Sequence, residues 1–277
     1  MALRALLIVF SAILFLAAPI RASSVEIADI SAALKIDEMF AVISEEGQAS
    51  GGAIEEDMFP GAGGARWADA VRGIYATKRI LPIFHDAFAT ALNGPKVDRD
   101  AMLSFFTSTR GARLINLELS ARRALLDAGV EEASRETLEI MRVEGDPRLD
   151  LIETFVEVND LVEANVSGML NANYAFFQGL NDARSLGPEM DDGSVLAEIW
   201  QQEAAIRDEM DIWIHSYLAL AYAPVSDADL RAYIDFSRTE PGQHLNRALF
   251  AGFDAVLIDI SRQLGRAAGA AAAGQDL

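Results

Sequence analysis

The stretch F-F-T-S-T-R-G-A-R-L at residues 105–114 and the stretch F-S-R-T-E-P-G-Q-H-L at residues 236–245 share the pattern F-x-x-[ST]-x-x-G-x-x-L. The same register continues upstream, where Asp98 in the first copy matches Asp229 in the second. A pattern that recurs at a fixed separation predicts a repeated structural unit. The sequence therefore predicts two pseudo-equivalent helical halves that pack on each other as one multi-helix bundle-like unit.

The residues of the motif suit a sharp corner between a short helix and a long one. Ser108 and Thr239 stand where a hydroxyl can accept a hydrogen bond from the free N–H groups of the next helix. Pro241 suits the first turn of that helix, where a missing N–H costs nothing. Gly111 and Gly242 fall just inside the helix, where glycine is unfavourable on propensity alone. We therefore expect the preceding helix to approach closely at both glycines.

The remaining motif residues are also interpreted as structural. Phe105 and Phe236 are expected to pack beneath the two corners, and Leu114 and Leu245 complete the pattern. The start of a helix can also bind an anion. The motif lacks the glycine density and the lysine of a phosphate-binding loop, so we interpret it as a packing device.

The rest of the chain predicts an all-α fold, because apolar residues recur at spacings of three and four. We assign helical half 1 to residues 23–145 and helical half 2, which carries the better motif, to residues 146–265. The glycine-rich segment 48–65 is predicted to be a loop, and Pro82 is predicted to kink a long helix. Residues 266–277 are rich in Ala and Gly and are predicted to form a flexible tail.

The first 22 residues have the parts of a secretory signal peptide. Arg4 provides a positive charge, an apolar stretch follows, and Ala22 offers a small residue at the cleavage position before Ser23. The apolar stretch is shorter than the roughly 20 residues that a spanning helix needs. We expect cleavage near Ala22–Ser23, a periplasmic location and no stable membrane insertion afterwards.

Composition excludes several classes of function. The chain has 277 residues, 51% of them hydrophobic, no cysteine and a formal net charge of −19. Without cysteine there can be no disulfide framework, thiolate nucleophile or cysteine-based metal site. The negative charge repels backbone phosphates, so nucleic-acid binding is not expected. The sequence indicates no cofactor.

The second copy of the motif and its surroundings resemble a known family. The residues that carry the resemblance lie within Val225–Arg262 and are Ser226, Asp227, Leu230, Phe236, Thr239, Pro241, Gly242 and Gln243. They are similar to a secreted bacterial family catalogued as domain of unknown function twenty-fifty-nine. The match is weaker over Asp98–Asp127, where Arg110 replaces the proline. Asp229 and Ser237 stand where the family usually has Glu and Tyr. The resemblance implies an exported helical protein and no particular activity.

Two of the three histidines are candidate metal ligands. His85 and His215 precede the motif at nearly equivalent positions in the two copies, and Asp211 lies one turn before His215. They could share a metal ion or a proton between the halves, or each could be an amphipathic residue at a helix boundary. The sequence contains neither an H-E-x-x-H metal motif nor a G-x-S-x-G nucleophile elbow. A metal-dependent hydrolase using His85 and His215 is therefore an alternative hypothesis, and a non-enzymatic function is favoured.

An aromatic cluster offers a second kind of site. Its members are Tyr174, Phe176, Phe177, Trp200, Trp213, Tyr217 and Tyr222. Such residues form either part of the core or the wall of a pocket between helices. The leading prediction is a non-enzymatic binding or envelope-interaction protein whose partner is an unknown protein. The alternative is a carrier of a small apolar ligand in an inter-helix cavity.

Overall fold

All regular structure in the part of the chain that the computed structural model describes, residues 25–61, 63–94, 96–183 and 192–274, is helical. This confirms the predicted all-α class. In chain order the helices are α1 (Ile27–Ala33), α2 (Ile36–Met58), α3 (Gly64–Ile74), α4 (Thr77–Leu92), α5 (Arg99–Thr107), α6 (Thr109–Ala124), α7 (Ala128–Glu144), α8 (Arg148–Val158), α9 (Leu161–Asp182), α10 (Asp192–Gln201), α11 (Glu203–Tyr222), α12 (Asp227–Arg238) and α13 (Glu240–Ala272).

The long helix α13 forms the centre of the bundle and packs mainly against α9 and α4. At its contact with α9 the two backbones touch. A Cβ atom on Gly265 would overlap the carbonyl oxygen of Phe176, and one on Gly179 would overlap the carbonyl oxygen of Arg262. Glycine at both positions removes the side-chain layer that normally separates two helices. This close approach fixes the position of α9 beside α13.

One apolar cluster runs through both predicted halves. It extends from Ile30 on α1 to Ala271 near the end of α13. Phe40 and Phe84 from the first half meet Phe253 from the second, with ring centroids 5.5 and 5.1 Å from that of Phe253. The two halves therefore share a single core, while their equivalence over the full length stays a prediction.

The glycine-rich segment 48–65 is not a loop as predicted, because α2 continues through it to Met58. Gly47 and Gly51 are buried within α2, and Cβ atoms there would overlap the side chains of Tyr75 and Val71. These glycines serve close packing between helices rather than a turn. Glycine in a sequence does not by itself distinguish the two uses.

The single long helix with a kink at Pro82 is also not what the structure has. The chain breaks earlier, between Ile74 and Thr77, and Pro82 lies within α4. At the break, the guanidinium of Arg79 donates hydrogen bonds of 2.8 and 2.6 Å to the carbonyl oxygen of Ile74. Since the last carbonyls of a helix lack partners within it, this side chain stabilises the end of α3 at that position.

The tail prediction is wrong for residues 266–272, which form the last turns of α13. Ala268 and Ala271 are buried there against the core. Small residues at these positions suit a tightly packed helix as well as a flexible tail. Residues 275–277 and the predicted signal peptide, residues 1–22, lie outside the described ranges. None of the helices within those ranges is both long enough and apolar enough to span a membrane.

Candidate ligand-binding site

The two copies of the motif form the same helix corner. The Ser108 hydroxyl accepts a 3.1 Å hydrogen bond from the Gly111 N–H at the start of α6, and the Thr239 hydroxyl accepts one of 3.2 Å from Gly242 at the start of α13. Each hydroxyl also donates a 2.6 Å hydrogen bond to the carbonyl oxygen of the motif phenylalanine. The predicted capping role of both hydroxyls is confirmed.

The close approach predicted at the motif glycines is also present. Cβ atoms on Gly111 and Gly242 would overlap the carbonyl oxygens of Phe105 and Phe236, each at the end of the preceding helix. The rings of Phe105 and Phe236 stack on each other, with centroids 4.2 Å apart and planes 13° apart. The two corners therefore meet directly, a contact that the sequence did not predict. Leu114 and Leu245 are buried as motif members.

The helices that leave these corners border a cleft of about 490 Å³ between α2, α6, α9, α11 and α13. Its walls are mainly apolar and aromatic, and they consist of Met39, Phe40, Ile43, Glu46, Gly47, Ser50, Tyr75, Arg122, Ala164, Asn165, Gly168, Trp213, Tyr217, Phe250, Phe253, Asp254, Val256, Leu257 and Ile260. Small-molecule sites in proteins typically have volumes of roughly 300–1,000 Å³ with few polar groups. The cleft has the size and lining of such a site.

Arg122, a cation in the wall of the cleft, already has partners within the protein. Arg122 forms an ion pair with Glu46, and its guanidinium carbon lies 4.8 Å from the centre of the Trp213 ring. The Trp213 ring stacks on Tyr217 with 5.3 Å between centroids. The charge of Arg122 is therefore balanced by a carboxylate and held against an aromatic surface.

The carboxylate of Asp254, which also lines the cleft, has no partner of opposite charge among the described residues. Asp254 of α13 lines the cleft, and within the described ranges it forms no hydrogen bond or ion pair through its carboxylate. It lies against Gly168 of α9, where a Cβ atom would be 2.8 Å from Asp254 Oδ1. Partial burial raises the pKa of Asp254 above its ordinary value, since removing water disfavours the charged form.

A second, smaller cavity of about 220 Å³ adjoins the cleft. Tyr217, Phe250 and Phe253 line both spaces. The other residues around the inner cavity are Phe106, Glu118, Phe155, Asn159, Leu161, Leu218, Tyr222, Tyr233, Phe236, Ser237, Gly242, Leu245, Asn246 and Leu249. The second motif thus contributes to its wall directly, through Phe236, Gly242 and Leu245.

The inner cavity contains one carboxyl group held by tyrosines. Tyr222 donates a 2.7 Å hydrogen bond to Glu118 Oε1, and Tyr217 donates one of 3.1 Å to the backbone carbonyl of Glu118. Burial raises the pKa of Glu118 to about 7, although the hydroxyls of Tyr222 and Tyr233 act in the opposite direction by favouring the charged carboxylate. Glu118 can therefore exchange a proton near neutral pH.

The candidate histidines have separate partners. His85 is 40% exposed through its side chain, and its Nε2 lies 3.7 Å from Asp37 Oδ1. His215 is buried, with Nε2 3.2 Å from Glu153 Oε2 and Nδ1 3.2 Å from Asp211 Oδ1. The predicted neighbour relation between Asp211 and His215 is present. In the part of the chain described above, no group of three or more His, Asp or Glu side chains is arranged to hold a metal ion.

The predicted aromatic cluster is divided between the cavities and other places. Trp213 lines the cleft, Tyr217 lines both spaces and Tyr222 lines the inner cavity. Phe176 and Phe177 pack against the core, and the Trp200 side chain is 64% exposed. The members on α11 therefore line cavities, while Tyr222 is also fully buried in the core; that these cavities bind a ligand stays a prediction.

Sequence reasoning missed the polar residues of the site. Glu118, Arg122 and Asp254 were not singled out among 42 acidic and 23 basic residues. A signal was present in the repeat, because Glu118 and Arg122 occupy the positions of Leu249 and Phe253 in the second copy. Charged residues in one copy at positions that are apolar in the other would have indicated these two, whereas nothing comparable indicates Asp254.

No protein-family model matches the chain, and no curated protein or solved structure matches it either. The resemblance carried by Val225–Arg262 therefore stays a prediction. The class of function has to be inferred from the site itself.

Proposed function

We propose that this protein is a non-enzymatic binding protein that holds a small, mainly apolar ligand in the cleft between α2, α6, α9, α11 and α13. The observation that carries the proposal is the cleft itself, about 490 Å³ with mainly apolar and aromatic walls. Filling such a space would remove apolar surface from water on both the protein and the ligand, at roughly 25 cal/mol per Å².

The walls of the cleft support a pre-formed site. Gly179 and Gly265 fix α9 against α13 by backbone contact, and Phe40 and Phe253 are joined to the core by ring contacts with Phe84. A site that does not have to be ordered on binding costs less free energy to occupy. The cleft is therefore suited to retaining a ligand as well as admitting it.

The distribution of exposed apolar side chains favours the cleft over a docking surface. In the described ranges, the large apolar side chains that are exposed are Met58, Ile140, Val143, Leu196, Trp200 and Ile258. They lie on four helices, Met58 and Ile258 alone and the others as one pair on α7 and one pair on α10, and exposed apolar residues in such small groups are ordinary on protein surfaces. A binding role for a small ligand thus has the better structural support than a role in protein docking at the envelope.

We further propose that the protein carries out this role in the periplasm after loss of residues 1–22. The N-terminal pattern of Arg4, an apolar stretch and Ala22 supports export. The mass of the mature chain tests this proposal directly. A chain that begins at Ser23 agrees with it, and a chain that retains residues 1–22 contradicts it.

The binding proposal is tested by filling the cleft from within. Leu257→Trp places an indole in the cleft, whereas Ile258→Trp places one at the neighbouring position, which is 38% exposed and does not line the cleft. Native mass spectrometry after purification, and after addition of decanol, should show bound ligand on the wild type and on Ile258→Trp but not on Leu257→Trp. Equal binding by all three proteins, or binding by none, would refute the proposal.

A further inference from the structure

We infer that the ligand carries a cationic head group, such as an alkylammonium, and that Asp254 is its counter-ion. The inference rests on the proposed function and specifies the chemistry of the ligand. It begins from the carboxylate of Asp254, which lines the cleft without a hydrogen-bond or ion-pair partner in the described ranges. A partly buried carboxylate is costly without a partner, and a bound cation would supply one.

The charges in the wall of the cleft favour a cation over an anion. Among the described residues that line the cleft, Glu46, Arg122 and Asp254 are the ones that carry charge. Arg122 is paired with Glu46 and held against Trp213. Together the three side chains carry one excess negative charge. An anionic head group such as a carboxylate or sulfate would need Arg122 as its partner, and Arg122 is already paired with Glu46. The net charge of −19 over the chain adds attraction for cations at longer range.

The aromatic lining is the second observation that favours a cation. Ammonium groups are attracted to the faces of aromatic rings, and Tyr75, Tyr217, Phe250 and Phe253 line the same cleft as Asp254. Phe250 and Phe253 belong to the same turn of α13 as Asp254. A cation at this position would contact aromatic surface as well as the carboxylate, while its alkyl chain would lie along the apolar walls.

The absence of a side chain at Gly168 leaves room for the carboxylate of Asp254. Beyond the backbone of α9 and the two flanking residues, the described atoms within 4 Å of a Cβ on Gly168 would be Asp254 Oδ1 at 2.8 Å and Asp254 Cγ at 3.9 Å. A methyl group at residue 168 would therefore displace the carboxylate and little else. Gly168→Ala is a means of moving the charge of Asp254 without removing it.

The test compares three probes that share a decyl chain, each below its micellar concentration. Decyltrimethylammonium is cationic, decyl sulfate is anionic and decanol is uncharged. Binding is measured by titration calorimetry on the full mature chain, first for the wild type. We expect the wild type to bind decyltrimethylammonium at least about tenfold more tightly than decyl sulfate or decanol, as a paired charge in a partly buried site allows.

Two variants then test the role of Asp254. Asp254→Asn should reduce the affinity for decyltrimethylammonium about tenfold and leave that for decanol unchanged, because only the charge is lost. Gly168→Ala should act in the same direction. The matched control is Asp86→Asn, which removes an exposed carboxylate from α4 and should change neither affinity. Circular dichroism establishes that each variant is folded.

The outcomes separate the inference from the proposed function. Equal or tighter binding of decyl sulfate or decanol by the wild type would overturn the cationic head group and leave the binding function standing. The cationic head group would also be overturned if Asp254→Asn and Gly168→Ala both kept the wild-type preference for decyltrimethylammonium over decanol. Failure of all three probes to bind would overturn the binding function, and the inference with it.

Discussion

Helices α6 and α13 begin at equivalent corners and continue very differently. Both start after a hydroxyl cap, and the third residue of each is a glycine in contact with the preceding helix. Seven residues after the glycine, α6 carries Glu118 and α13 carries Leu249. At both positions the side chain lines the inner cavity. One copy thus supplies a titratable group where the other supplies apolar surface.

The comparison shows which part of the repeat determines the backbone and which part is free to change. The corner is restricted by hydrogen bonds and by backbone contact, so both copies keep a hydroxyl and a glycine. Farther along the helix the side chains face cavities, where space admits more than one kind of side chain. Glu118 and Arg122 in the first copy could therefore diverge from Leu249 and Phe253 without altering the corner.

The largest expected effect is at the corner glycines. Gly111→Ala and Gly242→Ala should each lower the free energy of unfolding by about 3 kcal/mol or more, because the added methyl meets backbone rather than a movable side chain. Urea unfolding followed by circular dichroism measures both losses. Gly52→Ala is the matched control, since a Cβ there meets nothing within 4 Å and alanine favours a helix by about 1 kcal/mol.

A loss below about 0.5 kcal/mol in either corner variant would contradict the close-packing account. A large loss at Gly242 with a small one at Gly111 would break the equivalence of the two corners. Similar losses would support it.

The next effect concerns how the free energy of unfolding depends on pH through Glu118, a residue that has no titratable equivalent in the second copy. Its pKa is about 7 in the fold and 4.5 when unperturbed. The folded state therefore binds the additional proton between these values, and stability falls as pH rises through that range. The contribution is complete below the unperturbed pKa and lost above about pH 7.

Glu118→Gln should remove this dependence and leave the hydrogen bonds from the tyrosines in place. Unfolding free energies at about pH 5.5 and about pH 8 should differ more for the wild type than for the variant, by on the order of 1–2 kcal/mol. Leu249→Met serves as a control on the equivalent position of α13 and should keep the wild-type dependence. Identical pH profiles for wild type and Glu118→Gln would show that the carboxyl does not titrate in this range.

The smallest effect concerns the contact between the copies. Phe105 and Phe236 stack at 4.2 Å, and Phe105→Leu, Phe236→Leu and the double variant form a double-mutant cycle. We expect a coupling free energy of about 0.5–1.5 kcal/mol from the stacked pair beyond the area that each ring buries. Unfolding in urea measures it. Additive losses would mean that the two corners meet without supporting each other.

The sequence predicts most of what depends on local rules. Hydroxyl caps, motif glycines and the helical period all operate within a few residues, and the structure agrees with each. Gly51 misleads because its contact is with Val71, and such a tertiary reason for glycine cannot be distinguished from a turn in one sequence.

The candidate site was less predictable for a similar reason. Asp254 is one acidic residue among 42, and it differs in that its carboxylate has no partner among the residues that the structure describes, which depends on how α9 and α13 pack. The cavities likewise depend on the crossing of helices far apart in the chain. The ring of tyrosines around Glu118 combines α6, α11 and α12, which no short motif joins.

The glycine contacts between α9 and α13 also fix the direction of the two helices. Gly168 meets Asp254, and eleven residues farther along both helices Gly179 meets Gly265, so α9 and α13 run parallel. Parallel neighbours place their negative dipole ends at the same side of the bundle, where those ends repel. Arg262 and Arg266 reach Asp182, the last residue of α9, and their positive charges lie at the negative end of the α9 dipole. These two arginines thus neutralise the Asp182 carboxylate and the end of the α9 dipole, which lessens the repulsion between the two aligned helices.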